Sequence, residues 1–196
     1  MRRSPGFMSA VLALLLALAL GMVGCSGDEE PTEEDGGSSG RAEDALPTTT
    51  QVGEVTGRLG KAPARRLAAE VAAVVDRWID GAYVAGDYPR TNFSDAFRGF
   101  SAGAARLAAQ QPKLMSNAAV AERVETVTAR KRVVRVDVLA PKGKPAGITA
   151  HVNLVIRLEG DVERTDRIRG RLLLTPRGES WQVFGFDVAR GEVSGR

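Results

Sequence analysis

The chain has 196 residues but only one cysteine and one histidine. A lone cysteine, Cys25, excludes an internal disulfide, so the folded part must be held by its core alone. A lone histidine, His151, has no second imidazole with which to share a metal and no available thiolate to replace it, so no metal site is assigned. Any histidine-based acid or base chemistry would have to use that one residue. A Gly-x-Ser-x-Gly nucleophile elbow is not expected, and a phosphate-binding glycine loop, a His-Glu-x-x-His helix and a calcium loop are also missing. Hydrolase and nucleotide-dependent chemistry therefore have nothing to stand on, and neither a cofactor nor a catalytic residue is assigned. Long apolar runs are equally scarce. The longest, VLALLLALAL at 11–20, is too short to span a bilayer in the usual way, which takes about 20 residues.

That run follows Met1-Arg2-Arg3 and ends in Met22-Val23-Gly24-Cys25, the layout of an export signal. The Arg2-Arg3 pair is followed by Ser4-Pro5-Gly6-Phe7, a poor fit to twin-arginine export, so the general secretion route is expected. The Met22–Cys25 tetrapeptide resembles the lipobox of bacterial lipoproteins, with methionine at minus three in place of the usual leucine. The resemblance implies diacylglyceryl transfer to the Cys25 sulfur, removal of residues 1–24 and a mature chain beginning at Cys25. It also implies a membrane-bound location on the extracytoplasmic face. Two acyl chains hold firmly where one is marginal, at about 0.8 kcal/mol per buried CH₂. The alternative is a cleaved signal with a stray thiol, a reactive liability in an exported protein.

Residues 25–60 read as a lipidated tether, rich in Ser, Gly, Pro, Thr and acids, with almost nothing large and apolar to bury. Asp28, Glu29, Glu30, Glu33, Glu34, Asp35, Glu43 and Asp44 repel one another and anionic headgroups, and so extend such a segment. Pro47-Thr48-Thr49-Thr50 and Asn92-Phe93-Ser94 are weak glycosylation signals. Before residue 51 there are eight acids and three bases; after it, 24 bases face 16 acids, a net charge of +8 against +3 for the whole chain. An excess of that size attracts anionic partners.

Ordered structure is expected over 61–190, with 191–196 as a tail. Leu67, Val71, Val74, Val75, Trp78, Ile79 and Ala82 recur at three- and four-residue spacing, which predicts a helix starting near Pro63 and stopping at Gly86. A second helical stretch is expected over 94–110, broken around Gly99–Gly103 and ended by Pro112. From about Glu122 the period becomes two. Val134, Val136 and Val138, then Ile148 to Leu158, then Ile168, Leu172 and Leu174, then Trp181 to Phe186 alternate with polar residues. That pattern predicts antiparallel strands, each with one buried face. The segments at 141–147, 159–166 and 175–180 carry turn chemistry. The fold class is therefore α+β, with N-terminal helices packed on a curved antiparallel sheet.

Two segments, WIDGAYVAGDYPR (78–90) and the closing ESWQVFGFDV (179–188), resemble the NTF2-like superfamily, including SnoaL-like and Mce-associated-like domains. The resemblance covers about two thirds of the chain. It implies a bent sheet wrapped round a long first helix to make a cone. Actinobacterial envelope proteins of this shape, some associated with lipid import, share the closing strand with its tryptophan, and the Arg-, Ala-, Val- and Gly-rich composition agrees with such a source. Enzymatic members of the superfamily place a His, Asp or Tyr inside the cone.

Three groups of residues could carry function. Asp87 and Tyr88, in the turn after Gly86, would do acid-base work if burial raised a pKa; common turn chemistry explains the same pair. His151 falls on the polar phase of its strand, which places it outside the cone, so a pocket of Asp87, Tyr88 and His151 competes with a structural reading of all three. The third group is basic. Arg130, Lys131 and Arg132 are contiguous, and Arg135, Arg157, Arg167, Arg169 and Arg171 share polar phases of neighbouring strands. Guanidinium forks suit phosphate and carboxylate, so the stripe would dock an anionic envelope component or an acidic protein partner, unless local acids such as Asp137 and Glu159 already occupy it. Nucleic acid is excluded by the expected location. A homodimer through the same sheet face would bury these arginines. The sequence thus points to a non-catalytic binding or accessory module, with a small-molecule binder or enzyme as the alternative. A cone filled by Trp78, Phe97, Phe100 and Trp181 would argue against that alternative.

Overall fold

The computed structural model describes residues 46–193. The signal segment 1–24, Cys25, the acids at 28–44 and residues 194–196 lie outside the described residues. Strand β1 (Thr49–Gly57) comes first, then helix α1 (Lys61–Ile79), which widens into a π-helical turn (Asp80–Val84). Helix α2 (Ala102–Ala109) and the single turn α3 (Pro112–Met115) follow, and then β2 (Val124–Ala140), β3 (Gly147–Gly160), β4 (Arg164–Arg177) and β5 (Ser180–Glu192). The strands form one sheet in the order β1-β2-β3-β4-β5. β2 to β5 are an antiparallel meander, as their two-residue period predicts, while β1 runs parallel to β2. The class is α+β.

β1 corrects the reading of 25–60 as tether throughout. TTQVGEVTG offers only Val52 and Val55 as large apolar residues, and Val52 remains 38% exposed. An edge strand needs little side-chain burial, because its backbone groups are satisfied by the neighbouring strand from Val133 to Ala140. A composition argument therefore passes over it.

α1 buries the stripe expected of it, with Leu67, Val71, Val74, Val75, Trp78 and Ile79 all below the surface. It begins two residues ahead of Pro63, which occupies the first turn where a missing N–H costs nothing. The α-helical part ends seven residues before Gly86. Ala85 N–H instead donates to Asp80 O at 2.9 Å, the i to i+5 pattern of a π-turn.

The stretch 94–110 differs more. Its first part is turns, because the backbone at Gly99–Ser101 is drawn to β5. Val183 N–H donates to Gly99 O at 2.9 Å and Ser101 N–H to Val183 O at 2.8 Å. A helix cannot continue through residues whose backbone groups pair with a strand. Pro112 opens α3 rather than ending α2.

The core lies between the helices and one sheet face. Trp78, 1% exposed, meets Tyr83 edge-on at 5.5 Å and Phe100 at 6.3 Å. With Ile79, Met115, Leu154, Ile156 and Leu172 these rings fill the space above the sheet; Phe97 and Trp181 pack at its border, partly buried. α1 touches β1, β2, β3 and β5. Irregular pairing at Val52/Val55, Val124/Thr126, Ala129/Lys131 and Leu173/Leu174 marks where strands can bend. Gly170 adds another irregular site: its φ is +151°, and a Cβ there would sit 2.1 Å from Asp187 O, so only glycine keeps β4 and β5 paired.

Two polar clamps close the ends of this core. Arg132, read with its neighbours as part of a basic cluster, is instead buried. Its guanidinium reaches Asp76 at 3.0 Å, Asp80 at 2.9 Å and Thr48 at 3.1 Å, tying β1 and the end of α1 to β2. At the other end Asp166, with 2% of its side chain exposed, receives Arg164 at 2.9 Å and Arg190 Nε at 2.8 Å. Arg190 also donates to Ser116 O at 2.8 Å and Asn117 Oδ1 at 2.9 Å. Removing one member of a buried ion pair strands the other charge and costs about 3–5 kcal/mol. Asp166→Ala is expected to lower the free energy of unfolding by that amount in urea titration; a loss below about 1 kcal/mol would show that solvent reaches Arg190.

Candidate binding face of the sheet

Side-chain alternation sends every second residue of β2 to β5 away from the helices. Register turns these positions into cross-strand rows. One row is Arg135–His151–Arg171–Asp187, the next Val133–Asn153–Arg169–Ala189, the third Lys131–Val155–Arg167–Gly191. Four of the five stripe arginines thus lie within three adjacent rows, and Arg157 stands one row further, opposite Thr165.

Local acids answer some of these charges and not others. Arg171 pairs with Asp187 at 3.2 Å. Arg157 pairs with Glu163 and, at 3.7 Å, with Glu159. Arg135 pairs with Asp137 at 3.3 Å, and His151 Nε2 lies 2.8 Å from the other Asp137 oxygen. Asp137 also accepts the Glu54 N–H at 2.9 Å. Gly53 permits that approach, since a Cβ there would fall 1.9 Å from Asp137 Oδ1. Among the described residues, Arg167 and Arg169 have neither an ion pair nor a hydrogen bond. They border an open depression of about 390 Å³ floored by Ala189 and Gly191, with Glu192 as the one acid on its rim. Small residues on β5 leave backbone where side chains would otherwise stand, so an anion can come close to both guanidiniums.

The opposite end of the same face is apolar. Leu139 is 49% and Phe184 53% exposed, and with Leu173 they border an open depression of about 290 Å³. Phe184 stands out because the pairing shift at Leu173/Leu174 leaves it without a partner on β4.

Asp87, Tyr88 and His151 are not brought together. His151 is on the outer face. Tyr88 packs against the core on the helix side, where its hydroxyl donates to Tyr83 O at 2.7 Å and accepts from Asn117 Nδ2 at 3.0 Å. Burial pushes its phenol pKa up, against the lowering effects of Asn117, Arg90 and Arg190. Asp87 lies in an open surface loop beside Arg90. Arg90 donates to Gly81 O and Ala85 O at 2.8 Å and to Asn92 O at 2.7 Å, a loop-closing role that one basic residue in a turn does not announce. Asn117, Asp166 and Arg190 were equally invisible in sequence, since each acts through partners remote along the chain.

Gly99-Phe100-Ser101-Ala102-Gly103 has the spacing of a nucleophile elbow, which corrects the expectation that the chain has none. Its serine is a helix cap. Ser101 Oγ accepts from Ala104 N at 3.3 Å at the start of α2, and the chain's only histidine is across the sheet. Among the described residues no group of three or more potential ligands could hold a metal ion, and no helix is long and apolar enough to cross a membrane. Comparison of the chain with known protein families, curated proteins and solved structures yields no match.

Asp137 provides a pH test of this geometry. Burial acts to raise its pKa, but the Glu54 N–H, the His151 hydrogen bond and the Arg135 charge outweigh it and hold the carboxyl below its ordinary 3.8. A depressed carboxylate stabilises the fold fully above its unfolded pKa and loses that contribution as pH falls through the folded one. Thermal denaturation at a series of pH values should show wild type losing more stability than Asp137→Asn on acidification below about pH 4. Superimposable profiles would mean that the carboxylate is not coupled to folding.

Proposed function

We propose that this protein is an extracytoplasmic lipoprotein, anchored through Cys25, whose domain is a non-catalytic module that binds a phosphate-bearing component of the cell envelope on the outer sheet face. The observation that carries the reading is the Arg167–Arg169 pair, unpaired among the described residues and set over the Ala189–Gly191 depression. On a face where Arg135, Arg157 and Arg171 each have a carboxylate, two adjacent exposed guanidiniums without one among the described residues can take an external anion with no internal acid to displace. The net charge of +8 beyond residue 50 draws such a partner in. The finer fold assignment, an NTF2-like domain, belongs with this proposal. A long first helix lying on a meander of long strands supports it, and the Trp78–Tyr83–Phe100 cluster packs in the core between the helices and the sheet.

Lipidation predicts that mass spectrometry of the mature protein finds a diacylglyceryl-modified N-terminal Cys25, and that Cys25→Ser moves the chain to the aqueous phase on detergent partition. An unmodified membrane-extractable chain would reject the anchor. For the face, the mature Cys25→Ser chain should bind phosphatidylglycerol vesicles, weaken with salt, and ignore phosphatidylcholine. At about 1 kcal/mol per basic residue near an anionic surface, Arg167→Gln with Arg169→Gln should cost about 30-fold in vesicle affinity. Arg157→Gln, already neutralised by its acids, should cost far less. Equal losses from both changes, or none, would remove the groove from the binding site.

A further inference from the structure

We propose that the phosphate-bearing partner is the surface of an anionic bilayer, and that the domain docks on it by inserting Phe184 and Leu139 between headgroups while arginines of the outer sheet face hold phosphate beside them. The proposal rests on the reading of that face as the anion site and names its partner. Three observations carry it.

The first is an apolar spot on a face otherwise given to charge. Leu139 is 49% and Phe184 53% exposed, and both border the depression of about 290 Å³ that Leu173 also lines. The inner side of the same sheet buries Leu154, Leu158, Leu172 and Leu174 completely. Large apolar side chains that share one open depression, rather than lying scattered over the surface, mark a contact site.

The second is what surrounds that spot. The turn between β2 and β3 carries Lys142 and Lys144, and β4 ends at Arg177. Arg58, whose N–H donates to Ala140 O at 3.2 Å, follows β1 at the same end of the sheet. All four are exposed, and among the described residues none of their side chains has an ion pair or a hydrogen bond. The acids nearby are Glu54 and Glu179, since Asp137 is already held by Arg135 and His151. Apolar side chains ringed by cations match the two layers of an anionic membrane surface, phosphate outside and hydrocarbon beneath. A soluble polyanion offers nothing to Phe184 or Leu139.

The third is continuity. Arg167, Arg169, Arg171 and Leu173 are successive outward positions of β4, about 7 Å apart. The anion groove and the apolar depression therefore belong to one footprint about 20 Å long. Long arginine stems keep their charge at the headgroup level while a phenyl ring beside them goes deeper. Interfacial binding of this kind draws on buried apolar area and on attraction to anionic lipid together, so the loss of either half weakens it.

The test uses the mature Cys25→Ser chain with two probes, phosphatidylglycerol vesicles and inorganic polyphosphate, which carries phosphate without hydrocarbon. Phe184→Ser should weaken vesicle binding about tenfold, as expected for partial burial of one aromatic ring, and leave polyphosphate binding unchanged. Leu139→Gln should act in the same direction. Arg167→Gln with Arg169→Gln should weaken binding to both probes. Phe184 and Leu139 are half exposed, so the fold should survive both changes, as circular dichroism would verify.

Depth is read independently. Cys25 is the chain's only cysteine, so a nitroxide attached to Phe184→Cys in the Cys25→Ser chain reports from one place. On vesicles it should lose collisions with a water-soluble nickel chelate and gain them with oxygen. The same label on Leu107→Cys, on helix α2 and 56% exposed, should show no change. A water-exposed label at 184 with full vesicle affinity in Phe184→Ser, while the arginine changes still weaken binding to both probes, overturns the insertion and leaves the anion site standing. An inserted label with no response to the arginine changes keeps the membrane docking and rejects the groove as the anion site. Polyphosphate binding without vesicle binding overturns the membrane as partner, and binding to neither probe rejects both readings.

Discussion

Everything in this domain follows from burying the apolar stripe of α1 against one side of a single sheet. Trp78, Val71, Val75 and Ile79 find their cover on Val134, Leu154, Ile156 and Leu172, each such burial contributing about 1.5–3 kcal/mol. Because strand side chains alternate strictly, committing one set of positions to that contact commits the other set to the opposite face. The described residues provide a single layer of helices and leave the second face uncovered among themselves. Its chemistry is what remains for recognition once the core has taken what it needs.

The polar clamps show how the same constraint disposes of charge. Arg132 and Arg190 occupy inward phases at opposite ends of the core and are nearly removed from water, so they must be paired, and they are, with Asp76, Asp80 and Asp166. Outward arginines face water and need no partner. Arg135, Arg157 and Arg171 have one nonetheless, whereas Arg167 and Arg169 have none among the described residues. That asymmetry separates the functional reading of the stripe from the reading in which charges merely satisfy one another. Pairing at the rim is weak, about 0–1 kcal/mol for an exposed ion pair, so the arrangement matters for recognition far more than for stability.

The legible parts of the fold were those governed by period. The stripe of α1 and the alternation of β2 to β5 are local rules, and His151 fell outside the core as its phase requires. The misplaced parts depended on partners distant in sequence. β1 is held by backbone pairing with β2 and has little apolar content of its own. Residues 94–99 lost their helix to β5. Arg132 was grouped with its exposed neighbours although it shares the inward phase of Val134, Val136 and Val138, and its partners Asp76 and Asp80 lie far away along the chain.

By itself the sequence determined the α+β class, the buried stripe of α1, the outward phase of five arginines and the charge contrast between the first fifty residues and the rest. These rest on residue identity and spacing, which survive without knowledge of contacts. Only the tertiary structure decided which arginines have acids, that Asp87, Tyr88 and His151 form no common site, and that Arg132, Asp166 and Arg190 are structural. An ion pair exists only when two side chains of unrelated sequence position are brought within a few ångströms, and it is the register of β2 to β5, with the path of the chain around Trp78, that sets those distances.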